Sequence, residues 1–414
     1  MLKIGEWTYD NEVQLLENGE QYYPAVLAAM AAARQEILIE TFILFDDEVG
    51  RSMQQAWIDA ARRGVRLAIT VDGYGSPDLP QAFVAALLDA GVEFRYFDPV
   101  SRIAGLRLNP LRRLHRKIIV IDRALAFVGG INFSVDHLHD ASPHGKQDFA
   151  VQVRGPVVDA LHELVTLTLA GRSAPRPRPW WRSRVHQHPD HQRMDGQAAV
   201  QLVWRDNRHY EDGIEQYYRH AIRGARHSVL IANAYFFPGY RFVRELRHAA
   251  RRGVHVTLIL QGLQDIPLAC WAARSLYEHL GRAGVVIHEC RHRPLHAKVA
   301  VIDGHWATIG SSNLDPSSLS LNLEANLIIA SRALARELRL RLDDLIAREC
   351  QLIDPQSPPR PALWGRGVAY LVYHLMRLFP RWQHLLPRHR PPLVEPQLGS
   401  DIAQSGPGVS NRAS

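Results

Sequence analysis

Two segments of the sequence place a histidine and a lysine two residues apart, ahead of an apolar run that ends in an aspartate. Both segments follow the pattern H-x-K-x4-D-x6-G-[GS]-x-N. Its fixed side chains are His115, Lys117, Asp122 and Asn132 in the first copy and His296, Lys298, Asp303 and Asn313 in the second. A histidine and a lysine with this spacing on a strand point to the same face of a sheet. Each copy therefore presents an imidazole beside an ammonium group.

Two imidazoles and two ammonium groups suit attack on a phosphate diester. One histidine acts as the nucleophile, the other protonates the leaving oxygen, and the lysines bind the phosphoryl oxygens. A single copy could be only a strand end with a surface histidine and lysine. The chain, however, contains four lysines in all, and two of them occupy this position in the two copies. The repeated pattern therefore favours chemistry over coincidence.

The composition bounds the class of protein. The chain has 414 residues, of which 46% are hydrophobic and 22% charged. This is typical of a globular protein with two or three domains, and it excludes a disordered chain or a small disulfide scaffold. A net charge of +7 indicates an anionic partner, either nucleic acid or an acidic membrane surface. The three cysteines, Cys270, Cys290 and Cys350, lack CxxC spacing, which indicates reduced thiols rather than a disulfide framework or a zinc site.

An internal repeat indicates how the two motifs are positioned. The letters of 60–65, AARRGV, recur at 249–254, and similar apolar runs surround both copies. Short β-branched runs alternating with longer periodic stretches predict α/β domains. We therefore predict two similar domains, 1–170 and 199–353, each a mostly parallel or mixed sheet flanked by helices. Residues 171–198 form a linker rich in Pro, Arg and Trp, and 354–414 form an aromatic, basic segment with a tail that is disordered after about Pro391. We expect neither a signal peptide nor a transmembrane helix.

Beyond the paired motifs, four further segments carry a resemblance to a known family: 14–24, 72–79, 233–240 and 312–316. With them the chain resembles the phospholipase D superfamily and, within it, the bacterial cardiolipin synthases. The most similar type is cardiolipin synthase B, which lacks N-terminal transmembrane helices. The resemblance covers roughly residues 7–390. It implies that the two domains pack together with one active site at their interface.

The resemblance also implies roles for the motif residues. His115 is the nucleophile that forms a phosphatidyl-histidine intermediate, and His296 is the general acid and then the base, although the reverse order stays open. The side chains that cradle the phosphate are Lys117, Lys298, Asn132 and Asn313. Asp122 and Asp303 complete the catalytic motifs, but we expect them to brace the fold rather than touch substrate. No metal or cofactor is expected.

Two further expectations concern the surroundings of the histidines. In this family a carboxylate downstream of each motif orients its histidine, and the candidates are Asp148 and Glu324. The first copy has Gly130 where the second has Ser311, which predicts fewer hydroxyl contacts on that side.

The implied reaction is phosphatidyl transfer. The phosphatidyl group of one phosphatidylglycerol moves to the hydroxyl of a second, which releases glycerol and gives cardiolipin. The nearest alternatives are a hydrolase that uses water as the acceptor and a transphosphatidylase that exchanges headgroups on other phospholipids. The same double motif also occurs in nucleases, although the aromatic and basic segments favour a lipid surface over nucleic acid. A scaffold with a decayed site is disfavoured because both motifs are complete.

A lipid-modifying enzyme must reach the headgroups of its membrane. Three segments combine apolar or aromatic residues with arginine: 102–113, the linker with Trp180 and Trp181, and 363–386 with Trp364 and Trp382. Such residues suit the membrane interface. We therefore expect a peripheral protein on the cytoplasmic face of the bacterial cell membrane, in contact with an anionic surface. The alternative is that each segment is a solvated loop or a helix packed on its domain.

Overall fold

A computed structural model describes residues 5–77, 79–99, 112–139, 145–172, 197–206, 213–263, 273–274, 276–315, 318–319, 321–354 and 392–396, and the backbone of 102–103 and 106–107. The four tryptophans expected at the membrane, Trp180, Trp181, Trp364 and Trp382, lie outside these residues, as does most of the linker. Of the 102–113 segment, only Arg112 and Arg113 have described side chains. Within the described part of the chain, no helix is long and apolar enough to cross a membrane.

The two halves of the chain build matching sets of strands. The strands of the first half are β1 (Trp7–Glu17), β2 (Glu36–Thr41), β3 (Arg66–Asp72), β4 (Glu93–Phe97), β5 (Arg102–Ile103), β6 (Leu106–Arg107), β7 (Ile118–Ile121), β8 (Leu125–Gly129) and β9 (Phe149–Arg154). Those that follow are β10 (Ala198–Arg205), β11 (Ser228–Asn233), β12 (His255–Gln261), β13 (Val286–Cys290), β14 (Lys298–Ile302), β15 (Trp306–Gly310), β16 (Glu324–Ala330), β17 (Cys350–Leu352) and β18 (Leu393–Val394).

The helices cover the faces of these strands. They are α1 (Asn18–Ala32), α2 (Glu48–Arg62), α3 (Gln81–Asp89), α4 (Val157–Leu169), α5 (Gly213–Gly224), α6 (Tyr240–Arg251), α7 (Tyr277–Gly281) and α8 (Arg332–Glu349), with a 3-10 turn at Val135–His137. The repeated AARRGV sequence ends α2 and α6. Gly64 and Gly253, which follow these helices, have φ of 87° and 89°. This left-handed conformation, which glycine adopts without a steric penalty, explains why the repeat contains glycine.

The hydrogen-bonded order of the strands is the same in both halves. It is β4-β3-β2-β7-β8-β9-β1 in the first and β13-β12-β11-β14-β15-β16-β10 in the second, and β1 pairs antiparallel with β10 to join them. The pairs β2–β3, β3–β4, β11–β12 and β12–β13 are parallel, and the other pairs are antiparallel. The sheets are therefore mixed, as one of the two predicted arrangements allowed. They are not mostly parallel, because tight turns join β7 to β8 and β14 to β15, and only antiparallel strands accept such turns.

One hydrophobic core runs through both halves. It includes residues of α4 and α8 together with residues of the strands on both sides of the β1–β10 junction. Separate clusters under α1–α3 and under α5–α7 fill the opposite faces of the two halves. The halves are therefore packed together as predicted. The shared core fixes the position of one motif relative to the other.

Two short strands near the C-terminus cover the outer edges of the sheets. β17 pairs with β13, and β18 pairs with β4, where Arg95 also forms an ion pair with Glu395. The prediction that the chain is disordered after about Pro391 is therefore wrong for residues 392–396. Composition misled it, because an exposed sheet edge offers backbone N–H and C=O groups that a short strand of almost any sequence can pair with.

Candidate active site

The two motif histidines lie where the halves of the molecule meet. His115 precedes β7 and His296 precedes β14, and both strands are completely buried between apolar neighbours. Backbone hydrogen bonds between the two halves hold each histidine segment in place. The N–H of His115 donates to the carbonyl of Leu323 in the second half at 3.0 Å, and the N–H of His296 donates to the carbonyl of Gln147 in the first half at 2.8 Å. Each motif is thus anchored to the opposite half.

This exchange decides which carboxylate meets which histidine. Glu324 directly follows Leu323, and its Oε2 lies 3.0 Å from Nδ1 of His115. Asp148 occupies the equivalent place beside His296, with 2.5 Å between its Oδ2 and Nδ1 of that ring. The structure therefore gives both predicted carboxylates a histidine partner. The expectation that each serves the histidine of its own motif is wrong, because the backbone pairing crosses between the halves.

The motif lysines are buried beside the histidines. Nζ of Lys117 donates to the carbonyl of His115 at 2.8 Å. Nζ of Lys298 donates to the carbonyl of His296 and also lies 3.1 Å from Nδ1 of that ring. Burial lowers the pKa of Lys117 to about 7 and that of Lys298 to about 8. A phosphate between them would replace the lost hydration and favour the charged form of both lysines.

The two histidine–carboxylate pairs differ electrostatically. Burial lowers the pKa of His115 and, more strongly, that of His296. Burial alone would raise the pKa of Glu324, but His115, Lys117 and the Ser311 hydroxyl together hold it below its ordinary value. The pKa of Asp148 is raised, chiefly by burial. Glu324 is therefore the more firmly ionised of the two carboxylates.

The residue that backs each carboxylate explains part of this difference. Ser311 donates its hydroxyl proton to Oε2 of Glu324. Its counterpart, Gly130, lies against Asp148, and a Cβ at that glycine would be 2.5 Å from both carboxylate oxygens. No side chain fits at position 130 while Asp148 stays in place. As the sequence predicted, that side of the site lacks the hydroxyl contact.

The two motif asparagines have different surroundings. Oδ1 of Asn132 accepts the N–H of Ile43 at 3.2 Å, so this side chain holds the loop after β2. Oδ1 of Asn313 is buried and has no hydrogen-bond partner among the described residues. Both asparagines are buried. Their predicted contact with phosphate remains a prediction.

The motif aspartates lie at the opposite ends of the motif strands from the histidines. Each accepts three backbone N–H groups from the turn that enters the adjacent strand. The donors are Arg34, Gln35 and Glu36 for Asp122, and Arg226, His227 and Ser228 for Asp303. Both aspartates have a φ of 50°, which Asp and Asn tolerate better than most residues. This geometry braces the fold and leaves the aspartates away from the reacting groups.

Two rings near the histidines were not found from the sequence. Phe42 packs edge-to-face on His115 with 4.9 Å between ring centres, and Lys117 lies 5.1 Å from the centre of the same phenyl ring. His137 packs in the same way on His296 at 5.3 Å, and its Nε2 accepts the N–H of Asn132. Both residues arrive from loops with no recognisable spacing. Only the fold brings them to the site.

His137, Asp148 and His296 also form a group whose ligand atoms all lie within 4.8 Å of one another. Such a group has the donors that bind zinc and similar metals. Lys298, however, lies 3.1 Å from Nδ1 of His296, and its positive charge opposes a divalent cation there. This neighbouring charge counts against a divalent metal ion at the group.

A further pair of residues aligns the loops just before the histidines. Asp72, at the end of β3, accepts the N–H of Leu114 at 2.7 Å. Gln261, at the end of β12, accepts the N–H of Leu295 at 3.0 Å. These side chains play the same part in the two halves, although one is a carboxylate and the other an amide. Burial raises the pKa of Asp72 to about 6.

Comparisons with known proteins agree with this architecture. Residues 26–145 and 218–346 match the family described as "Cardiolipin synthase, PLD-like domain". The chain is 50% identical over 394 residues to cardiolipin synthase B of Salmonella typhi, covering 95% of this chain and 94% of that protein. It is 49% identical over 389 residues to cardiolipin synthase B of Escherichia coli K12, covering 94% and 93%. A cardiolipin synthase of a Geobacillus species is 33% identical over 320 residues, covering 76% and 62%.

Solved structures share the fold at much lower identity. The phosphatidylserine synthase of Haemophilus influenzae matches with a TM-score of 0.65 and 13% identity, covering 90% of this chain and 93% of that one. The polyphosphate kinase of Porphyromonas gingivalis matches with a TM-score of 0.56 and 15% identity, covering 89% and 53%. At these identities the likeness concerns the fold alone.

Proposed function

This chain belongs to the family of cardiolipin synthases with phospholipase D-like domains, and from that membership we propose that it transfers a phosphatidyl group between two phosphatidylglycerol molecules. The products are cardiolipin and glycerol. The observation that carries the proposal is that each motif histidine is hydrogen-bonded through Nδ1 to a buried carboxylate of the opposite half. The distance from Nδ1 to the carboxylate oxygen is 3.0 Å for His115 and 2.5 Å for His296. Two such pairs supply both a nucleophile and an acid at one site.

His115 is the nucleophile. The ionised Glu324 accepts a hydrogen bond from Nδ1–H of this ring, so the ring proton stays on Nδ1 and a lone pair remains on Nε2 for attack on phosphorus. A bond forms between Nε2 and the phosphorus of the first phosphatidylglycerol, and the bond from phosphorus to the headgroup glycerol breaks. The intermediate is a phosphatidyl-histidine.

His296 is the general acid for the departing glycerol. Nδ1 of this ring lies 3.1 Å from Nζ of Lys298 and 2.5 Å from Oδ2 of Asp148, and burial raises the pKa of that carboxyl. We propose that Asp148 holds a proton in this state. With Nδ1 acting as an acceptor, the ring carries its proton on Nε2. That proton passes to the glycerol oxygen while Asp148 supplies a proton to Nδ1.

The second step reverses these transfers with a new acceptor. Nε2 of His296 removes the proton from a hydroxyl of the second phosphatidylglycerol, and Nδ1 returns its proton to Asp148. The hydroxyl oxygen bonds to phosphorus, and the bond between phosphorus and His115 breaks. Lys117 and Lys298 offset the charge on the phosphoryl oxygens in both steps. Hydrolysis differs only in the acceptor, so a phospholipase or a headgroup exchange on other phospholipids is the second candidate.

A product assay tests the proposal. The purified protein is incubated with phosphatidylglycerol in mixed micelles, with and without EDTA, and the lipids are read by mass spectrometry. We expect cardiolipin and free glycerol, unaffected by EDTA and lost in His115→Ala. The matched control is His255→Ala, which removes an exposed histidine on β12 outside the site. Phosphatidic acid as the main product would instead establish a hydrolase, and an unimpaired His115→Ala would refute the mechanism.

We also propose that the protein acts as a peripheral protein on the cytoplasmic face of the membrane. The net charge of +7 favours an anionic lipid surface, and the free thiols of Cys290 and Cys350 fit a reducing compartment. Sedimentation with vesicles containing phosphatidylglycerol tests this. The double variant Trp364→Ala/Trp382→Ala should bind more weakly than the wild type, and neither should bind neutral vesicles well. Unchanged vesicle binding of the variant would show that these tryptophans do not contribute to membrane contact.

A further inference from the structure

Two cysteines lie directly opposite each other at the outer edge of the second half. Cys290 is the last residue of β13 and Cys350 the first residue of β17, and the antiparallel register pairs them. The N–H of Arg291 donates to the carbonyl of Glu349 at 3.0 Å. Because this bond joins the residues that flank the cysteines, the cysteines form a non-hydrogen-bonded pair. In such pairs the Cα atoms approach to about 4.5 Å, closer than elsewhere in an antiparallel ladder.

The two thiols also share one face of the sheet. Cys290 is completely buried in the core that both halves share, and Cys350 is half-buried and packs against the same core. Side chains of a directly opposed pair lie side by side on one face. Disulfides join Cα atoms about 4.4 to 6.8 Å apart. The register therefore holds these cysteines at bonding distance without a shift of either strand.

We propose that Cys290 and Cys350 are a site of covalent modification, a dithiol that small-molecule disulfides such as oxidised glutathione convert to an intramolecular disulfide. The inference stands on the register of two strands and does not depend on the proposed function. In a reducing compartment the pair stays as thiols, and a rise in oxidised glutathione closes it.

The exposure of the two thiols sets the order of the exchange. The half-buried Cys350 attacks a sulfur of oxidised glutathione as its thiolate, which forms a mixed disulfide and releases one glutathione thiolate. Cys290 then loses its proton and attacks the sulfur of Cys350, which releases the second glutathione. The contact with Cys350 and burial both raise the pKa of Cys290, so this thiol reacts second. Two protein thiols and one glutathione disulfide thus give one protein disulfide and two glutathione molecules.

The bond would fasten the end of α8 to the sheet. Cys350 directly follows α8, and β17 is the last strand of the second half before residues 355–391. Closing the pair would link this strand covalently to β13. We therefore expect the oxidised protein to resist thermal unfolding better than the reduced protein.

The experiment treats the native protein with oxidised glutathione, blocks the remaining thiols, and maps disulfides by mass spectrometry of proteolytic peptides. We expect a linked Cys290–Cys350 peptide pair that dithiothreitol opens. Cys270→Ser is the matched control and should form the same link. Cys290→Ser and Cys350→Ser should form none, and only the wild type and Cys270→Ser should gain a higher melting temperature on oxidation.

The reduced melting temperatures of the three variants show whether each serine is tolerated. A stable mixed disulfide of Cys350 with glutathione, without closure, would overturn the proposal. So would a link that involves Cys270, or no reaction of the native protein at a glutathione potential that oxidises an ordinary vicinal pair.

Discussion

The histidine sites of the two halves share one backbone plan but have different chemistry. In each half the segment before the histidine exchanges a backbone hydrogen bond with the opposite half, and a residue at the end of β3 or β12 accepts an N–H from the same loop. The carboxylates differ. Glu324 is kept ionised beside His115, whereas the pKa of Asp148 beside His296 is raised. A symmetric scaffold thus holds two histidine–carboxylate pairs that differ electrostatically.

The surroundings sharpen this contrast. His115 has the apolar ring of Phe42 at 4.9 Å, and Ser311 donates to its carboxylate. His296 has the polar ring of His137 at 5.3 Å, and its carboxylate lies against Gly130. The same motif therefore lies in two different environments, and the difference comes from the side chains around each ring rather than from the motif itself.

Replacing either carboxyl group by an amide should have the largest effect. We expect Glu324→Gln and Asp148→Asn to lower kcat by about 10²- to 10⁴-fold, because an amide fixes the wrong tautomer or withholds the proton. The two variants should fail at different steps. Glu324→Gln should lose the covalent adduct on His115, whereas Asp148→Asn should still form it from a substrate with a good leaving group that needs no acid.

Rapid quenching and peptide mapping of the adduct distinguish the two variants. The conservative controls Glu324→Asp and Asp148→Glu report whether length alone matters. If Asp148→Asn abolished the adduct on His115 and Glu324→Gln spared it, each carboxylate would serve its own motif. An adduct mapped to His296 in the wild type would reverse the assigned roles.

Each histidine is paired with a carboxylate of the opposite half, and this pairing marks the limit of what the sequence could predict. The repeat and the spacing of His115 and Lys117 can be read from the sequence itself, so they predicted the duplicated α/β halves and the paired histidine–lysine motifs directly. Which carboxylate meets which histidine depends on a backbone pairing between Leu323 and His115, residues far apart in the chain. Phe42 and His137 reach the site through loops whose sequences contain no signal. The strand at 393–394 forms because an edge is available, which no composition rule detects.

The lysines allow a test through pH. In the free enzyme, burial lowers the pKa of Lys117 to about 7 and that of Lys298 to about 8. The charged form of each is lost as pH rises through its pKa, so kcat/KM should fall above about pH 7. In Lys117→Arg the positive charge at position 117 persists, so the alkaline limb of the pH profile of kcat/KM should move to about pH 8, the pKa of Lys298. At pH 9 the variant should then retain about a hundredfold more of its own maximal kcat/KM than the wild type retains.

The measurement is a pH profile of kcat/KM and of kcat for the same preparations. Bound phosphate favours the charged lysines, so the limb in kcat should lie higher than that in kcat/KM. Lys3→Arg is the matched control, since it replaces a lysine outside both motifs, and it should leave the profile unchanged. If Lys117→Arg left the alkaline limb of the profile unmoved, the charge of Lys117 would not be what phosphate binding requires.

The motif aspartates should matter equally in the two halves, and for stability rather than chemistry. Asp122→Ala and Asp303→Ala each leave three backbone N–H groups without their acceptor, which should lower the free energy of unfolding by about 1 to 3 kcal/mol. Asparagine keeps an acceptor and tolerates the φ of 50°, so Asp122→Asn and Asp303→Asn should lose less. Urea unfolding and kcat of the folded protein measure both effects. A large loss of kcat at unchanged stability would mean that these aspartates take part in the reaction rather than brace the fold.

The smallest effect should come from the hydroxyl that distinguishes the two sites. Ser311→Ala removes the donor to Glu324 but leaves the His115 contact, so we expect kcat to fall roughly tenfold, which corresponds to about 1.4 kcal/mol. Because that hydrogen bond helps to hold the pKa of Glu324 below its ordinary value, its loss should raise this pKa and move the acid limb of kcat to higher pH. Ser312→Ala, which removes a neighbouring hydroxyl bonded only to the carbonyl of Asn313 among the described contacts, is the control. Equal effects of the two changes would mean that the hydroxyl at 311 serves packing, and that the ionised state of Glu324 comes from His115 and Lys117 alone.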